Sequence, residues 1–361
     1  MRIVLTHLYC WPEVRRGAER YAHELAASLR RLGHDARIIS SAAQPHRDRI
    51  LDVPVTRLRR RGFLRRYGDA GAGMEFAARC TLPVLAARPD VWHALSPADA
   101  AAASLVAKVR PGMRAVYTEV GFPSKPSHDR RADRRLYNRV VRDIDDFLCL
   151  SQPASDLLLT DYGRHGVTMP AGVDIRRFNS TQGRHPRPVL LFPAALGESR
   201  KNVGLVLEAA ALLRQAGTDV ELWLVGPGTL PSDLSELARQ GMDNVTVHRT
   251  ADADELQELY ATAWVTVLPS QAEVFGLVVL ESMACGTPAV VLDDGLGPSL
   301  MVTPETGVKC EATGASVAHA CEQAIELARD PQTIERCKAH AASYDWDTVV
   351  TPMIISRYQP Q

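Results

Sequence analysis

At 361 residues, the chain is long enough for two domains. Hydrophobic residues make up 46% of it and charged residues 23%, a globular composition that disfavours both disorder and a coiled coil. Because 42 Lys and Arg residues balance 42 Asp and Glu residues, the molecule lacks the overall positive charge expected of a nucleic-acid-binding protein.

Targeting and metal-binding signals are also missing from the sequence. No apolar run approaches the roughly 20 residues that span a bilayer, and the N-terminus does not have the pattern of a signal peptide. Seven cysteines are scattered without C-x-x-C pairs, which favours reduced, buried thiols and no metal site. We therefore expect a soluble, cytoplasmic protein.

The first forty residues predict one βαβ unit. An apolar strand at 2–8 is followed by the amphipathic stretch AERYAHELAASLRRLG, and DARIIS then returns as a second strand. This order implies a parallel sheet with a right-handed crossover. Further strands are predicted at 91–94, 114–118, 147–150 and 167–169.

The second half of the chain repeats this alternation. A polar, turn-rich segment at 179–187 (NSTQGRHPR) is predicted to be the linker between the halves. After it, five apolar strands alternate with helical sequence: PVLLFPAAL, VELWLVG, VTVHR, WVTVLPS and PAVVLDD. The pattern predicts two doubly wound, Rossmann-like α/β domains that face one another across a ligand-binding cleft.

The most informative stretch is PSQAEVFGLVVLESMACGTPAVV, at 269–291. A helix is predicted over 274–285, with Glu273 just before it and Glu281 eight residues further on, about 12 Å along the helix axis. The hexose and ribose of a sugar nucleotide are separated by a comparable distance. Free N–H groups at 275–277 would then face the negatively charged linkage between them. The alternative is a pair of solvated carboxylates on a surface helix.

This stretch resembles the E-x7-E signature of retaining, family 4 nucleotide-sugar glycosyltransferases, which have the GT-B fold. Three other segments are similar to the same family: GAERYAHELAASLRRLGHD near the N-terminus, PAGVDIRRF at 170–178, and the order of VELWLVGPG and the strands after it. Together they cover most of the chain. The resemblance implies that the C-terminal helix crosses back to the first domain.

The resemblance also implies roles for individual residues. Glu273 and Lys201 are the catalytic candidates: Glu273 contacts the transferred sugar or supports charge at the reacting centre, and Lys201 stabilises the departing diphosphate. Glu281 would bind the ribose. For Lys201 and the adjacent Arg200, the alternative is a solvated loop pair. The donor-binding set is Arg200, Lys201, Thr250, Glu273, Val274, Phe275, Gly276, Leu277 and Glu281.

Four residues are candidates for acceptor binding: Arg16, Gly17, His93 and Glu119. For His93 the alternative is a core histidine. Glu119 is expected to point to the strand face opposite Val120.

The chain departs from the family pattern in three places. Arg16 replaces the first glycine of the usual Gly-Gly, Ala194–Ala195–Leu196 replaces G-R-L, and Val120 stands where the family has a histidine. These losses leave open a catalytically inactive relative, or an acceptor whose thiol or amine group needs less activation.

We therefore expect a glycosyltransferase of the hexosyltransferase type that acts with retention and uses neither metal nor cofactor. Residues 1–178 and 343–361 would form the acceptor domain, and 179–342 the domain that binds a UDP- or GDP-type donor. The acceptor is expected to be a small molecule. The alternatives are a non-catalytic nucleotide-sugar-binding relative and a sugar-nucleotide epimerase.

A basic run stands apart from these motifs. The stretch TRLRRRGFLRR at 56–66 has six arginines in eleven positions. Such a run is compatible with contact to anionic lipids, but its few hydrophobic residues favour equally a solvated face or a phosphorylated acceptor. The sequence does not indicate an oligomeric state.

Overall fold

The protein is described here from a computed structural model that covers residues 1–14, 16–62, 68–123, 131–180, 182–230, 244–248, 251 and 253–359. The chain forms two compact units. The first combines Met1–Gly172 with Trp346–Gln361, and the second is Val173–Asp345. The unit boundary therefore falls a few residues before the predicted one at 178.

The first unit is built on an eight-stranded sheet of order β3-β4-β2-β1-β5-β6-β7-β8. Its pairings are parallel except that of β3 with β4, which is antiparallel. The interior strands are almost wholly apolar, as expected for strands covered on both faces. The strands are β1 (Arg2–Thr6), β2 (Asp35–Ala42), β3 (His46–Ile50), β4 (Val53–Arg59), β5 (Val91–Ala94), β6 (Arg114–Glu119), β7 (Asp146–Cys149) and β8 (Val167–Thr168).

The β3–β4 hairpin is absent from the sequence prediction, in which the end of β4, at 56–59, falls within the basic run at 56–66. In β4, Val53, Val55 and Arg57 are buried while the residues between them are partly exposed, so the strand has the period of two. Buried Arg57 contacts Asp48 on β3, with Nη2 and Oδ2 3.2 Å apart. An arginine at a buried position hid the alternation.

Helices follow most strands of the first unit. They are α1 (Gly17–Arg31), α2 (Gly68–Ala87), α3 (Pro97–Val109), α4 (Arg131–Asp143) and α5 (Gln152–Tyr162). In α1, Tyr21, Leu25 and Leu29 are fully buried, as the helical spacing predicts.

The second unit is built on a six-stranded parallel sheet of order β11-β10-β9-β12-β13-β14. Its strands are β9 (Val189–Phe192), β10 (Glu221–Val225), β11 (Val245–His248), β12 (Val265–Leu268), β13 (Ala289–Leu292) and β14 (Gly307–Cys310). Its described helices are α6 (Val203–Gln215), α7 (Ala253–Thr262), α8 (Leu277–Ala284), α9 (Gly297–Met301), α10 (Gly314–Arg329) and α11 (Gln332–Ala342). The predicted doubly wound α/β layout is confirmed in both units.

The segment predicted to be a linker packs on the second unit. The guanidinium of Arg184 donates hydrogen bonds to the carbonyl oxygens of Ala263 and Gly286, at 2.8 and 3.1 Å. The backbone N–H of His185 donates to the carbonyl of Thr262 at 2.8 Å. Burial lowers the pKa of Arg184 below its ordinary value. This arginine satisfies carbonyl groups at the ends of neighbouring elements, so the segment predicted to link the halves is attached to the second unit.

The C-terminal segment belongs to the first unit, as the resemblance implies. It forms a π-helical turn at Trp346–Val350 and a last helix, α12 (Thr351–Tyr358). The buried indole N–H of Trp346 donates to Glu24 Oε2 at 2.8 Å, and its ring meets that of Tyr21 edge to face at 5.4 Å. These contacts attach the chain end to α1.

The structure also bears on the state of the cysteines and on membrane-spanning helices. All seven cysteines are free and buried. Within the described residues, no helix has both the length and the apolar character that crossing a bilayer requires.

We predict that Gly172→Ala destabilises the protein by about 1–3 kcal/mol, because overpacking forces buried rings to move. A Cβ at this position would lie 2.5 Å from Cδ2 of Trp346, which is fully buried. Urea unfolding measures the change. Gly183→Ala is the matched control, since its Cβ would meet nothing within 4 Å. Equal unfolding midpoints for the two variants would contradict the packing described.

Candidate functional site

The candidate site lies at the carboxyl ends of β9 and β12, which are neighbours in the sheet of the second unit. Ligands bind at this edge in parallel α/β sheets. A 3-10 turn at Ser199–Lys201 follows β9, and Glu273 lies in the loop after β12. Backbone hydrogen bonding joins the two loops: Gln271 N–H donates to the carbonyl of Arg200 at 2.8 Å.

One carboxylate oxygen holds two cations at this edge. Lys201 Nζ lies 2.5 Å from Glu273 Oε2, and Arg200 Nη1 lies 3.0 Å from the same oxygen. The Lys201 and Glu273 side chains are only 13% and 17% exposed, whereas that of Arg200 is 47% exposed. The structure thus brings together the two predicted catalytic residues and the neighbouring arginine. Two positive groups side by side form a preorganised site for an anion.

The backbone around Glu273 is held in an unusual conformation. Ala272 and Gly276 both have positive φ, at 51° and 94°, so the helix α8 begins at Leu277. The prediction that it begins at residue 274 is therefore wrong. A Cβ on Gly276 would lie 2.8 Å from Pro298 Cγ, so this turn requires glycine. The N–H of Gly297 donates to the carbonyl of Glu273 at 3.1 Å and fixes the loop.

Phe275 and Val274 are buried in this turn, at 5% and 8% exposure. They therefore support the loop by packing. Only their backbone groups remain as candidates for ligand contact. Since residues 273–276 are not helical, the helix-axis spacing of Glu273 and Glu281 does not apply.

Glu281 is buried within α8, at 2% exposure. Its Oε2 accepts a hydrogen bond from Tyr260 Oη at 3.0 Å. The carbonyl of Tyr260 in turn accepts from Thr287 Oγ1 at 2.7 Å. Glu281 is thus part of a hydrogen-bonded network, and a solvated carboxylate, the alternative reading, is ruled out. No sequence pattern identified Tyr260 or Thr287 as members of this network.

Two of the predicted first-unit residues lie at the start of α1. Arg16 is exposed and takes the N-cap position, and Gly17 is the first residue of the helix. Thr250, predicted for the donor, lies outside the described residues.

Glu119 ends β6 and is partly buried. Its Oε2 accepts hydrogen bonds from the phenols of Tyr117 and Tyr137, at 2.9 and 2.7 Å. The backbone N–H of Gly121 donates to its other oxygen at 3.3 Å. The tyrosines, which the sequence did not single out, therefore fix this carboxylate.

His93 is fully buried in β5. Its Nε2 lies 2.7 Å from Thr118 Oγ1, and its Nδ1 lies 2.6 Å from Tyr358 Oη. Burial lowers the pKa of His93 to about 3, so the ring is neutral. This placement corrects the assignment of His93 to acceptor binding: both ring nitrogens are engaged and no surface is exposed, as expected of a core histidine.

The described residues contain no group of three His, Cys, Asp or Glu side chains arranged to hold a metal ion. The positive charge at the candidate site comes from Arg200 and Lys201.

Two family models match the chain, one on each half. The model described as Glycosyltransferase Family 4 matches residues 15–177, and the model described as Glycosyl transferases group 1 matches residues 187–329.

Curated relatives share about three residues in ten with the chain. It is 28% identical to the GDP-mannose-dependent alpha-(1-6)-phosphatidylinositol dimannoside mannosyltransferase of Mycobacterium tuberculosis, over 60% of this chain and 58% of that protein. It is 31% identical to the D-inositol 3-phosphate glycosyltransferase of an Arthrobacter species, over 62% of this chain and 57% of that protein. The matches thus span a little over half the length of each relative.

Solved structures share the fold along the whole chain. The sucrose-phosphate synthase of Thermosynechococcus elongatus superposes with a TM-score of 0.80 at 18% identity, covering 99% of this chain and 98% of that one. The predicted GT-B fold class is thereby confirmed. Since the two family models together match both halves, the chain belongs to the family 4 glycosyltransferases.

Proposed function

We propose that the protein transfers a hexose from a nucleoside diphosphate donor to a small-molecule acceptor, with retention of configuration and without a metal ion. This proposal rests on the ion pairs that Arg200 and Lys201 form with Glu273 at the carboxyl edge of the sheet. A diphosphate leaving group gains negative charge as its bond to the sugar breaks. Positioned cations lower that barrier without a metal.

In the proposed reaction, the bond between the anomeric carbon and the phosphate oxygen breaks, and its electron pair stays on the diphosphate. Lys201 and Arg200 donate hydrogen bonds to the departing oxygens. The attacking atom of the acceptor bonds to the same face of the anomeric carbon and passes its proton to the departing phosphate. Glu273, released from the cations by the diphosphate, supports the positive charge that develops on the sugar.

The donor's nucleoside is proposed to bind beside α8, with Glu281 accepting hydrogen bonds from the ribose. Tyr260 supports this role, because its phenol fixes one oxygen of the carboxylate at 3.0 Å. The name of the mycobacterial relative supports a GDP-linked mannose as the donor.

The names of both relatives favour an acceptor that offers a hydroxyl group. A second form of the proposal has a thiol or amine acceptor. Val120, at the position where the family has a histidine, favours it because such nucleophiles need less help from a base. The carboxylate of Glu119, the residue before Val120, accepts hydrogen bonds from the phenols of Tyr117 and Tyr137.

We predict that Glu273→Gln lowers the turnover of a GDP- or UDP-linked hexose by about 10²–10³-fold, the range seen when one charge-stabilising group is removed. Binding of the free nucleoside diphosphate is expected to persist, because the carboxylate no longer competes for the cations. Lys201→Met should weaken both binding and turnover. The measurements are calorimetric titration with GDP and UDP, and release of nucleoside diphosphate during turnover.

Lys309→Met is the matched control, since Lys309 is an exposed residue of β14 in the same unit. It should leave both quantities unchanged. A wild-type protein that binds the donor but neither transfers nor hydrolyses it would instead support a non-catalytic sensor. Interconversion of two sugar nucleotides without an acceptor would support an epimerase.

We predict that Glu281→Gln reduces the preference for a ribonucleotide over its 2′,3′-dideoxy analogue by about tenfold, because a charged acceptor of hydroxyl hydrogen bonds is lost. The measurement is the ratio of dissociation constants for GDP and 2′,3′-dideoxy-GDP. Tyr260→Phe should change this ratio in the same direction by a smaller factor. An unchanged ratio in both variants would contradict the assignment of the ribose to Glu281.

A further inference from the structure

The first unit contains a cavity that has no role in the proposed reaction as described above. Its volume is about 240 Å³, and it lies where β1, β2 and β4 end, with α2 along one side. Leu8 and Tyr9 follow β1, Ser41 belongs to the end of β2, and Arg59 is the last residue of β4. Arg59, Arg60 and Arg61 belong to the basic run at 56–66, and none of the other described residues predicted for donor or acceptor lines this cavity. Its position at the carboxyl ends of parallel strands is the usual one for a ligand site.

The cavity wall carries an excess of positive charge. Four arginines line it, Arg59, Arg60, Arg61 and Arg79, whereas Glu75 is the one acidic residue among its described lining residues. The Glu75 carboxylate is 4.0 Å from Arg79 Nη1. Among the described lining residues, the single carboxylate of Glu75 therefore balances only part of the positive charge of the four arginines.

Arg60 is held in a fixed position. Its guanidinium lies over the ring of Tyr9, 4.9 Å from the ring centre. Its Nε donates to Ser41 Oγ at 3.2 Å, and its Nη2 donates to Glu13 Oε1 at 3.1 Å. This arginine therefore shapes the wall, and its charge is partly balanced by Glu13.

Arg59 and Arg61 are different. Both residues are exposed. In the part of the chain that the structure describes, neither guanidinium takes part in a hydrogen bond or an ion pair. Two unengaged guanidinium groups at one cavity offer planar, multiple donors that match the oxygens of a phosphate.

The cavity lining also includes apolar residues. Leu8 and Phe76 are 7% and 3% exposed, and Tyr9 and Leu58 add further apolar surface. A cavity lined by both cations and aromatic side chains suits a phosphate group carried on a ring or a hydrocarbon.

We propose that this cavity binds the phosphate group of a phosphorylated acceptor, with Arg59 and Arg61 as its donors and Tyr9 and Phe76 against the organic part. Naming the ligand an acceptor rests on the proposed function, whereas the anion site itself does not. A soluble phosphate ester and a phospholipid headgroup share this chemistry.

The test is calorimetric titration of the full chain with phenyl phosphate, inorganic phosphate and phenol. We expect phenyl phosphate to bind more tightly than either of the others. Arg59→Gln and Arg61→Gln should each weaken it about tenfold, the effect of losing a hydrogen bond to a charged group. Arg47→Gln, on exposed β3 and outside the cavity wall, removes the same charge and should leave binding unchanged.

Sedimentation with phosphatidylglycerol–phosphatidylcholine vesicles, compared with pure phosphatidylcholine, distinguishes the two sources. Binding to the anionic vesicles that Arg59→Gln and Arg61→Gln abolish supports a lipid headgroup; phenyl phosphate binding without vesicle binding supports a soluble ester. Phenyl phosphate and vesicle binding that neither variant weakens would overturn the proposal. GDP or UDP titration of the same variants separates this result from the proposed function, because donor binding should be unaffected.

Discussion

The structure of the candidate site depends on one ion cluster, in which Glu273 Oε2 accepts hydrogen bonds from both Lys201 and Arg200. Two adjacent cations repel each other, and in a partly buried setting that repulsion is weakly screened. A shared carboxylate offsets it and keeps both donors at one place. A diphosphate can perform the same task, so the cluster is ready to exchange one anion for another.

Sheet topology brings these residues together from distant parts of the sequence. β9 and β12 are hydrogen-bonded neighbours, and the loops after them carry Lys201 and Glu273, 72 residues apart. Close backbone contacts then fix the loop of Glu273. At Gly297 a Cβ would lie 2.4 Å from Phe275 N, so only glycine allows this approach. Rigid backbone on rigid strands is what lets a charged site be preorganised before ligand binds.

Sequence patterns predicted the apolar strands and amphipathic helices well, because burial imposes a period that is visible in one chain. These patterns did not predict the places where a polar side chain is buried and packs within the fold. The buried Arg57 interrupts the apolar alternation of β4, and the hydrogen bond from Arg184 to the second unit could not be inferred from the turn-rich composition of its segment. The motif located Glu281, but not its partner Tyr260, because a tertiary hydrogen bond leaves no local pattern. His93 was recognised as a polar residue at a strand end, and its two partners come from β6 and α12.

The most direct test of the ion cluster is a double-mutant cycle of Glu273→Gln and Lys201→Met, read out as the dissociation constant of GDP or UDP. If the carboxylate and the ammonium act as one unit, the effect of Glu273→Gln on nucleotide affinity must differ between the wild-type and Lys201→Met backgrounds. We expect a coupling free energy of at least about 0.5 kcal/mol, as residues in one ion network show. Additive effects, within about 0.3 kcal/mol, would contradict the account.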